Sequence, residues 1–421
     1  MKVVHVIGAG LAGLSAALSL TAAGWSVVVH EAGPAAGGRC RSFFDKELGL
    51  RIDNGNHMLL SGNLSAKAYI AEIGAQDAFH VRKEAIFPFM DIGTGERWVV
   101  HPNPGRIPWW ILRGNRRVPE TRLFDYIGMA RIARIRNNTP VADSMRRGRL
   151  YWRLVEPLAI AALNTPAQEG LARLLGAVMR ETLLAGGRAC IPVLPKEGLS
   201  EALIDPAIAT LRARGADIRF NSRIATVTVR DGNATALWGP AGSIAVEPGD
   251  AVVLAVPPST ASNLLPGLMA PEAFEAILNI HFRHDADPGG PFAEQGFIGL
   301  TSATADWVFI KPGHVSVTIS AANNIVDDPA RSIAALAWPN VVDALGLPAG
   351  AKENLPPFRV VKEKRATFAA TDQQEQRRPK ARTGLAANLA LAGDWTDTGL
   401  PATIEGAIRS GRTAADVILS L

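Results

Sequence analysis

Short apolar runs alternate with longer helix-forming stretches along this chain. Residues 2–7 (KVVHVI) are an almost unbroken apolar run, the pattern of a strand buried on both faces. Residues 11–23 carry helix formers and stop at Gly24, and residues 26–30 (SVVVH) form a second apolar run ending at Glu31. The order is strand, helix, strand: a βαβ unit. Farther on, residues 42–53 predict a hairpin turned at 46–49, Asn63 an N-cap for a helix ending at Gly74, and residues 86–100 two strands about Gly93, Thr94 and Gly95. Residues 154–163 and 167–185 predict apolar helices broken by Pro166 and ended by Gly186 and Gly187. Asp205 and Pro206 predict the cap and first position of a helix ending at Gly215. Strands are expected over 217–220, 224–229, 234–238 and 250–256, an antiparallel sheet over 296–310 and 314–320, and a last strand at 388–392 before a helix starting near Pro401.

The first turn carries chemistry. Gly8 permits a tight turn, Gly10 lets a pyrophosphate approach the backbone, and Gly13 lets helix and strand pack closely, while the helix N-terminus offers free N–H groups to an anion. Glu31, 18 positions after Gly13, is placed to accept hydrogen bonds from a ribose and would repel a 2'-phosphate. The pattern therefore suits FAD or NAD and disfavours NADP.

Gly37, Gly38, Arg39, Cys40, Arg41 and Ser42 follow directly. With the opening fingerprint they resemble the double-glycine motif of FAD-dependent amine oxidases and phytoene-type desaturases. The resemblance implies FAD, with Gly8, Gly10, Leu11, Ala12, Gly13, Glu31 and Gly38 along the nucleotide and Arg39 supporting its pyrophosphate. It implies that Asn54, Gly55 and Asn56 run past the isoalloxazine ring and that Ile224 packs near the adenine. It also implies that Gly393 and Asp394 hold the ribityl or phosphate portion, and that amides around Thr403 and Ile404 face the electron-accepting edge of the ring. Residues 52–57, 392–395 and 399–407 are further similar to the squalene-associated FAD-dependent branch, the hydroxysqualene dehydroxylases of bacterial hopanoid pathways.

That resemblance implies an α/β fold: a Rossmann-like FAD-binding domain of glutathione-reductase type interleaved with an α+β substrate domain. Residues 1–74, 195–257 and 384–421 would form the FAD-binding parts. Residues 75–194 would form the helical, membrane-facing part of the substrate domain and 258–383 its sheet. The implied reaction is reductive dehydroxylation of hydroxysqualene to squalene. A protonated hydroxyl departs and the allylic cation takes hydride from reduced FAD, with His57 and Asp397 as candidate proton donors. A carotenoid-type desaturase running hydride the other way, an amine oxidase and a flavin-free prenyl-lipid carrier are the alternatives.

The composition, 48% apolar and 20% charged over 421 residues, is that of an ordinary globular protein. Its two cysteines, Cys40 and Cys190, have no disulfide or zinc spacing, and no metal site is expected. Neither lies near the C-terminus, so non-covalent FAD is expected. The chain opens one residue before a strand and no apolar run is long enough to span a bilayer, so a cytoplasmic protein is expected. The net charge of +5 matters less than its distribution, because residues 106–153 hold twelve arginines against three acids. Trp109 and Trp110 lie among them, a combination suited to an anionic membrane surface. The reading is peripheral attachment at the inner face of the cell membrane, with a solvated basic face over core tryptophans as the plainer alternative. No nucleic-acid motif accompanies the charge. Only one G-x-G-x-x-G is present, so the reductant, a nicotinamide or a partner protein, stays open.

Overall fold

The computed structural model describes residues 2–285 and 287–421. Five parallel strands form its first sheet in the order Asp217–Arg219, Ser26–His30, Val3–Ile7, Ala251–Leu254 and Leu389–Leu391. The apolar runs are explained by burial on both faces. Val4, Val6, Ala251 and Val253 face helices Leu11–Ala22, Asp205–Ala213 and Ile404–Leu419. Val252, Leu254, Leu389 and Leu391 face a small antiparallel sheet of Thr226–Arg230, Asn233–Gly239 and Gly242–Ala245. The first and last helices touch closely: a methyl on Gly411 would overlap the Ala12 carbonyl oxygen, and Ser15 Oγ donates to Ile408 O at 2.9 Å.

The second sheet has seven strands in the order Phe358–Phe368, Phe274–Phe282, His314–Ile319, Trp307–Lys311, Phe297–Thr301, Phe87–Asp91 and Arg97–Val100. Only the pairing of Phe297–Thr301 with Phe87–Asp91 is parallel. One face buries Leu278, Ile280, Phe282, Val315 and Val317 against helix Ala330–Leu345. The register sends the alternate residues to the other face. There Asn279 pairs with Thr318 and His281 with Ser316, making one half polar. The other half is aromatic: Phe89, Trp98, Phe297, Trp307 and Phe309 pack against helices Glu156–Leu163 and Ala172–Glu181.

Several predicted boundaries move. The expected helix over 167–185 is reduced to Ala172–Glu181, because Glu169 and Gly170 donate back to Pro166 O in a closed turn. Asp205 is no cap: a π-helical turn, Ser200–Ile204, runs into helix Asp205–Ala213 and places it inside the element. The same arrangement joins Tyr151–Val155 to Glu156–Leu163. In both, a proline (Pro157, Pro206) lacks the N–H the ladder needs, and the backbone widens around the gap. Asn63 turns its side chain back to Leu60 N, and the helix after it, Leu64–Glu72, is capped instead by Glu405, which accepts Ser65 N–H at 2.9 Å and Ala66 N–H at 2.8 Å. The last helix begins at Ile404 rather than near Pro401, and residues 296–310 supply two strands of the expected antiparallel sheet.

Candidate functional site

The glycines about the first helix turn do different work. A methyl on Gly8 would overlap Ala255 O and one on Gly13 would overlap Gly8 O, so both are fixed by close backbone contact. Gly10 has nothing within 4 Å of where its Cβ would sit, and the neighbour across from Gly38 is Gly10 Cα at 3.7 Å. These glycines border an open cradle at the N-terminus of helix Leu11–Ala22. The amides of Leu11, Ala12 and Gly13 have no acceptor inside the helix. Free amides at a helix start beside open space make a site for an anion. Glu31 closes one side, its carboxylate accepting Ala9 N–H at 2.9 Å and Gly33 N–H at 2.8 Å. Buried Ile224 lies just beyond, on the segment whose Ser222 N–H binds Glu31 O at 2.8 Å.

The far end of the chain closes the other side. Arg39 pairs with Asp394 at 2.7 Å and also donates to Ala366 O. Gly393 N–H donates to Ser410 Oγ at 2.8 Å. Thr403 caps the last helix by accepting Gly406 N–H at 3.0 Å, leaving the Ile404 and Glu405 amides at an open helix start. Arg378, which sequence reasoning passed over, is buried beneath this loop; it donates to Thr396 O and Thr398 Oγ1 and pairs with Glu375.

Between the two ends lies the segment from Asp53 to Met58. Asp53 is buried, accepts from Ser42 Oγ at 2.7 Å and Leu199 N at 2.9 Å, and pairs with Lys311. These contacts outweigh its burial and hold its carboxyl below the usual range. Asn54 Nδ2 donates to Arg39 O at 3.3 Å, joining this segment to the double-glycine turn. Asn56 is hydrogen-bonded to Ser316, Thr318 and Asn279 of the seven-stranded sheet. Gly55 lies between Asn279 and His57.

The two candidate proton donors fit less well. Burial, helped by the Lys311 and Arg39 cations and opposed by Asp53, holds the His57 imidazole down at about 4, so at neutral pH it has no acidic proton to give. Asp397 is exposed, with its backbone N–H tied to Pro379 O, a position unlike that of an acid inside an apolar pocket. Among the described residues no group of His, Cys, Asp and Glu is arranged to hold a metal.

The arginine-rich segment divides its tryptophans. Trp109 is 61% exposed, but Trp110 is only 4% exposed and packs edge-on against Tyr126 at 5.3 Å. The expectation that both face a membrane is corrected: in the 3-10 turn Trp109–Leu112 neighbouring side chains diverge by about 120°, so one points inward. Arg153 is also interior, paired with Glu96 at 2.6 Å over the Trp98 ring. Ile107, Trp109, Leu112, Phe124 and Ile127 remain exposed beside Arg106, Arg113 and Arg122. No described helix is long and apolar enough to cross a membrane.

Comparison with known proteins fits this geometry. The family model of flavin-containing amine oxidoreductases matches residues 11–284 and 311–419. A hydroxysqualene dehydroxylase of Rhodopseudomonas palustris is 46% identical over all of this chain and 99% of its own, and one of Zymomonas mobilis is 43% identical with both chains covered completely. Among solved structures, cyclohexylamine oxidase of Brevibacterium oxydans superposes with a TM-score of 0.71 over all of this chain and 99% of its own, at 15% identity, a likeness of fold. The chain thus belongs to the flavin-containing amine oxidoreductase family, alongside the hydroxysqualene dehydroxylases.

Proposed function

We propose that the chain removes the allylic hydroxyl of hydroxysqualene as water and returns squalene, using non-covalently bound FAD. The observation that carries this reading is the 43–46% identity, sustained from end to end, to proteins named for that reaction. Bound and reduced, the flavin supplies the hydride that replaces the hydroxyl. The chain's own residues hold and orient. The amides of Gly10, Leu11, Ala12, Gly13 and Gly38 take the diphosphate, with Arg39 as counter-charge. Glu31 accepts from the ribose, and Ile224 meets the adenine. Asp394 and Gly393 hold the ribityl side, and the helix start at Thr403 and Ile404 faces the ring where negative charge gathers. The backbone of Asn54, Gly55 and Asn56 walls the ring. Neutral His57 lies beside Gly55 at the ring wall, exposed Asp397 stands at the open side, and the proton with which the hydroxyl leaves as water comes from solvent. Burial pushes the Cys190 thiol up to about 12 and raises that of Cys40, which suits structural thiols rather than flavin tethers.

The FAD-binding parts are assigned to residues 1–74, 195–257 and 384–421. A substrate of this kind resides in lipid. The exposed apolar residues around Trp109, set among arginines, form the surface by which the chain rests on the anionic inner face of the cell membrane. Electrons come from a nicotinamide or a partner protein.

Anaerobic, dithionite-reduced protein is mixed with hydroxysqualene, and flavin absorbance and extracted products are followed together. One squalene per flavin reoxidised is the expected result; neither squalene nor reoxidation refutes the reading. Release of all flavin on denaturation tests the non-covalent assignment.

A further inference from the structure

Residues 52–55 and Leu59 are buried, whereas Asn56, His57 and Met58 between them are partly open, so the chain borders a gap at this point. The orientation of the Asn56 amide there follows from groups whose polarity is fixed. Asn279 Nδ2 donates to the backbone carbonyl of Asn54 at 3.2 Å, and Asn279 Oδ1 accepts the backbone N–H of Asn56 at 3.2 Å. A carbonyl only accepts and an amide N–H only donates, so the Asn279 side chain has one allowed orientation. Its Oδ1 lies 3.5 Å from Asn56 Nδ2, which also donates to Ser316 Oγ at 2.8 Å and Thr318 Oγ1 at 3.1 Å. The Thr318 hydroxyl proton is occupied as well, donated to Asn279 Oδ1 at 3.1 Å, and Ser316 Oγ shares a hydrogen bond with His281 Nδ1 at 3.0 Å. A flipped Asn56 would set two amide oxygens against each other. With its nitrogen committed to the sheet, Asn56 Oδ1 is left buried and without a hydrogen-bond partner, closed to water at rest, so a donor reaches it as the partly open side chains beside it shift. A buried acceptor of this kind is costly until a donor reaches it.

We propose that Asn56 Oδ1 accepts the hydroxyl hydrogen of the allylic alcohol and orients its C–O bond, with Asn279, Ser316 and Thr318 as positioning residues. The inference rests on the dehydroxylase reading. The hydroxyl is the only polar group on an otherwise hydrocarbon substrate, and stripping it of water without a partner would weaken binding. One fixed acceptor restores that contact and lets the site tell substrate from product, because a site built to bond a hydroxyl rejects the analogue that lacks it. Once the hydroxyl has left as water, squalene has nothing to offer Asn56, and the atom that gripped the substrate favours release of the product. An N–H of the cofactor offers the same donor chemistry, so the test separates the two sources.

Oxidised flavoprotein, which cannot turn over, is titrated in detergent micelles with hydroxysqualene and with squalene, following the flavin absorbance. Wild type is expected to bind the alcohol about tenfold more tightly than the hydrocarbon, the worth of one hydrogen bond to a buried acceptor. Asn56→Leu is expected to bind both alike, with its affinities for oxidised and reduced FAD unchanged. Thr318→Val, which removes one anchor of the amide, is expected to keep about a threefold preference. A preference retained in Asn56→Leu overturns the proposal. Loss of preference together with weaker FAD binding overturns it too, assigning the acceptor to the cofactor. Should Asn56→Leu fail to fold, Thr318→Val decides alone, and a full tenfold preference there sinks the positioning role. If wild-type protein forms no squalene from hydroxysqualene, the functional reading falls first, and product analysis registers that independently of the binding ratios.

Discussion

Residues 2–31 and residues 106–153 both stand out in the sequence, one by glycine spacing and the other by charge, yet they fold under different constraints. In the first stretch most of the decisive contacts are local: Gly13 abuts Gly8, Glu31 holds Ala9 and the two strands pair within thirty residues, while Gly8 is closed from outside by Ala255. In the second the partners follow no fixed spacing: Arg153 is settled by Glu96, far back in the chain, and Trp110 by Tyr126, close ahead of it. Spacing motifs survive translation into structure because the backbone enforces them. Charge clusters do not, because each side chain finds its own partner.

The largest expected effect comes from the first stretch. Gly13→Ala places a methyl on the Gly8 carbonyl, backbone against backbone, and should cost more than about 4 kcal/mol, leaving little folded flavoprotein to purify. Next comes Trp110→Ala, which empties a core position and should cost about 3–5 kcal/mol, read as a lower Tm or denaturation midpoint.

Acid should then separate the regions. Burial holds His30 and His57 at about 4 and His281 at about 3, and lowers His5 and His314, while residues 106–153 contain no histidine. Unfolded histidines titrate near 6.5, so the unfolded chain binds more protons. Stability is complete above pH 6.5 and drains as pH falls toward 4, by about 1.4 kcal/mol per unit for each such group. Tm measured from pH 7.5 to 4.5 should fall, with co-sedimentation on anionic liposomes unchanged down to the onset of unfolding. A flat Tm would mean that these imidazoles take up protons while folded.

Two substitutions should barely disturb the fold. Gly10→Ala meets open space and should leave Tm nearly unchanged while weakening FAD retention, measured by flavin absorbance after dialysis. Trp109→Ala should shift Tm by no more than about 1 °C yet lower co-sedimentation with anionic liposomes severalfold. If Trp109→Ala and Trp110→Ala behave alike in both assays, the division drawn here is wrong.

What was legible in the sequence follows the same line. The parallel sheet, its glycine turn and Glu31 came from motifs whose geometry is built into their spacing, whereas Arg39 and Asp394 were each set beside one cofactor by resemblance, and their direct pairing was not foreseen. Asn279, Ser316 and Thr318 went unnoticed, although each stands between apolar neighbours in its strand, the mark of a two-faced sheet. Which face they share is a matter of register, and register depends on strands far apart in the chain. Glu405 had the look of an ordinary first-turn acid; its role as cap of a helix 340 residues earlier has no local signature.

That cap has a consequence for biosynthesis. Ribosomes deliver residues 64–72 long before Glu405, so a nascent chain carries an unclosed receptor, its outermost parallel strand and covering helix still unmade. On the proposed assignment of the site, vitamin loading awaits translation of the final segment, and chains stalled before that point would emerge colourless.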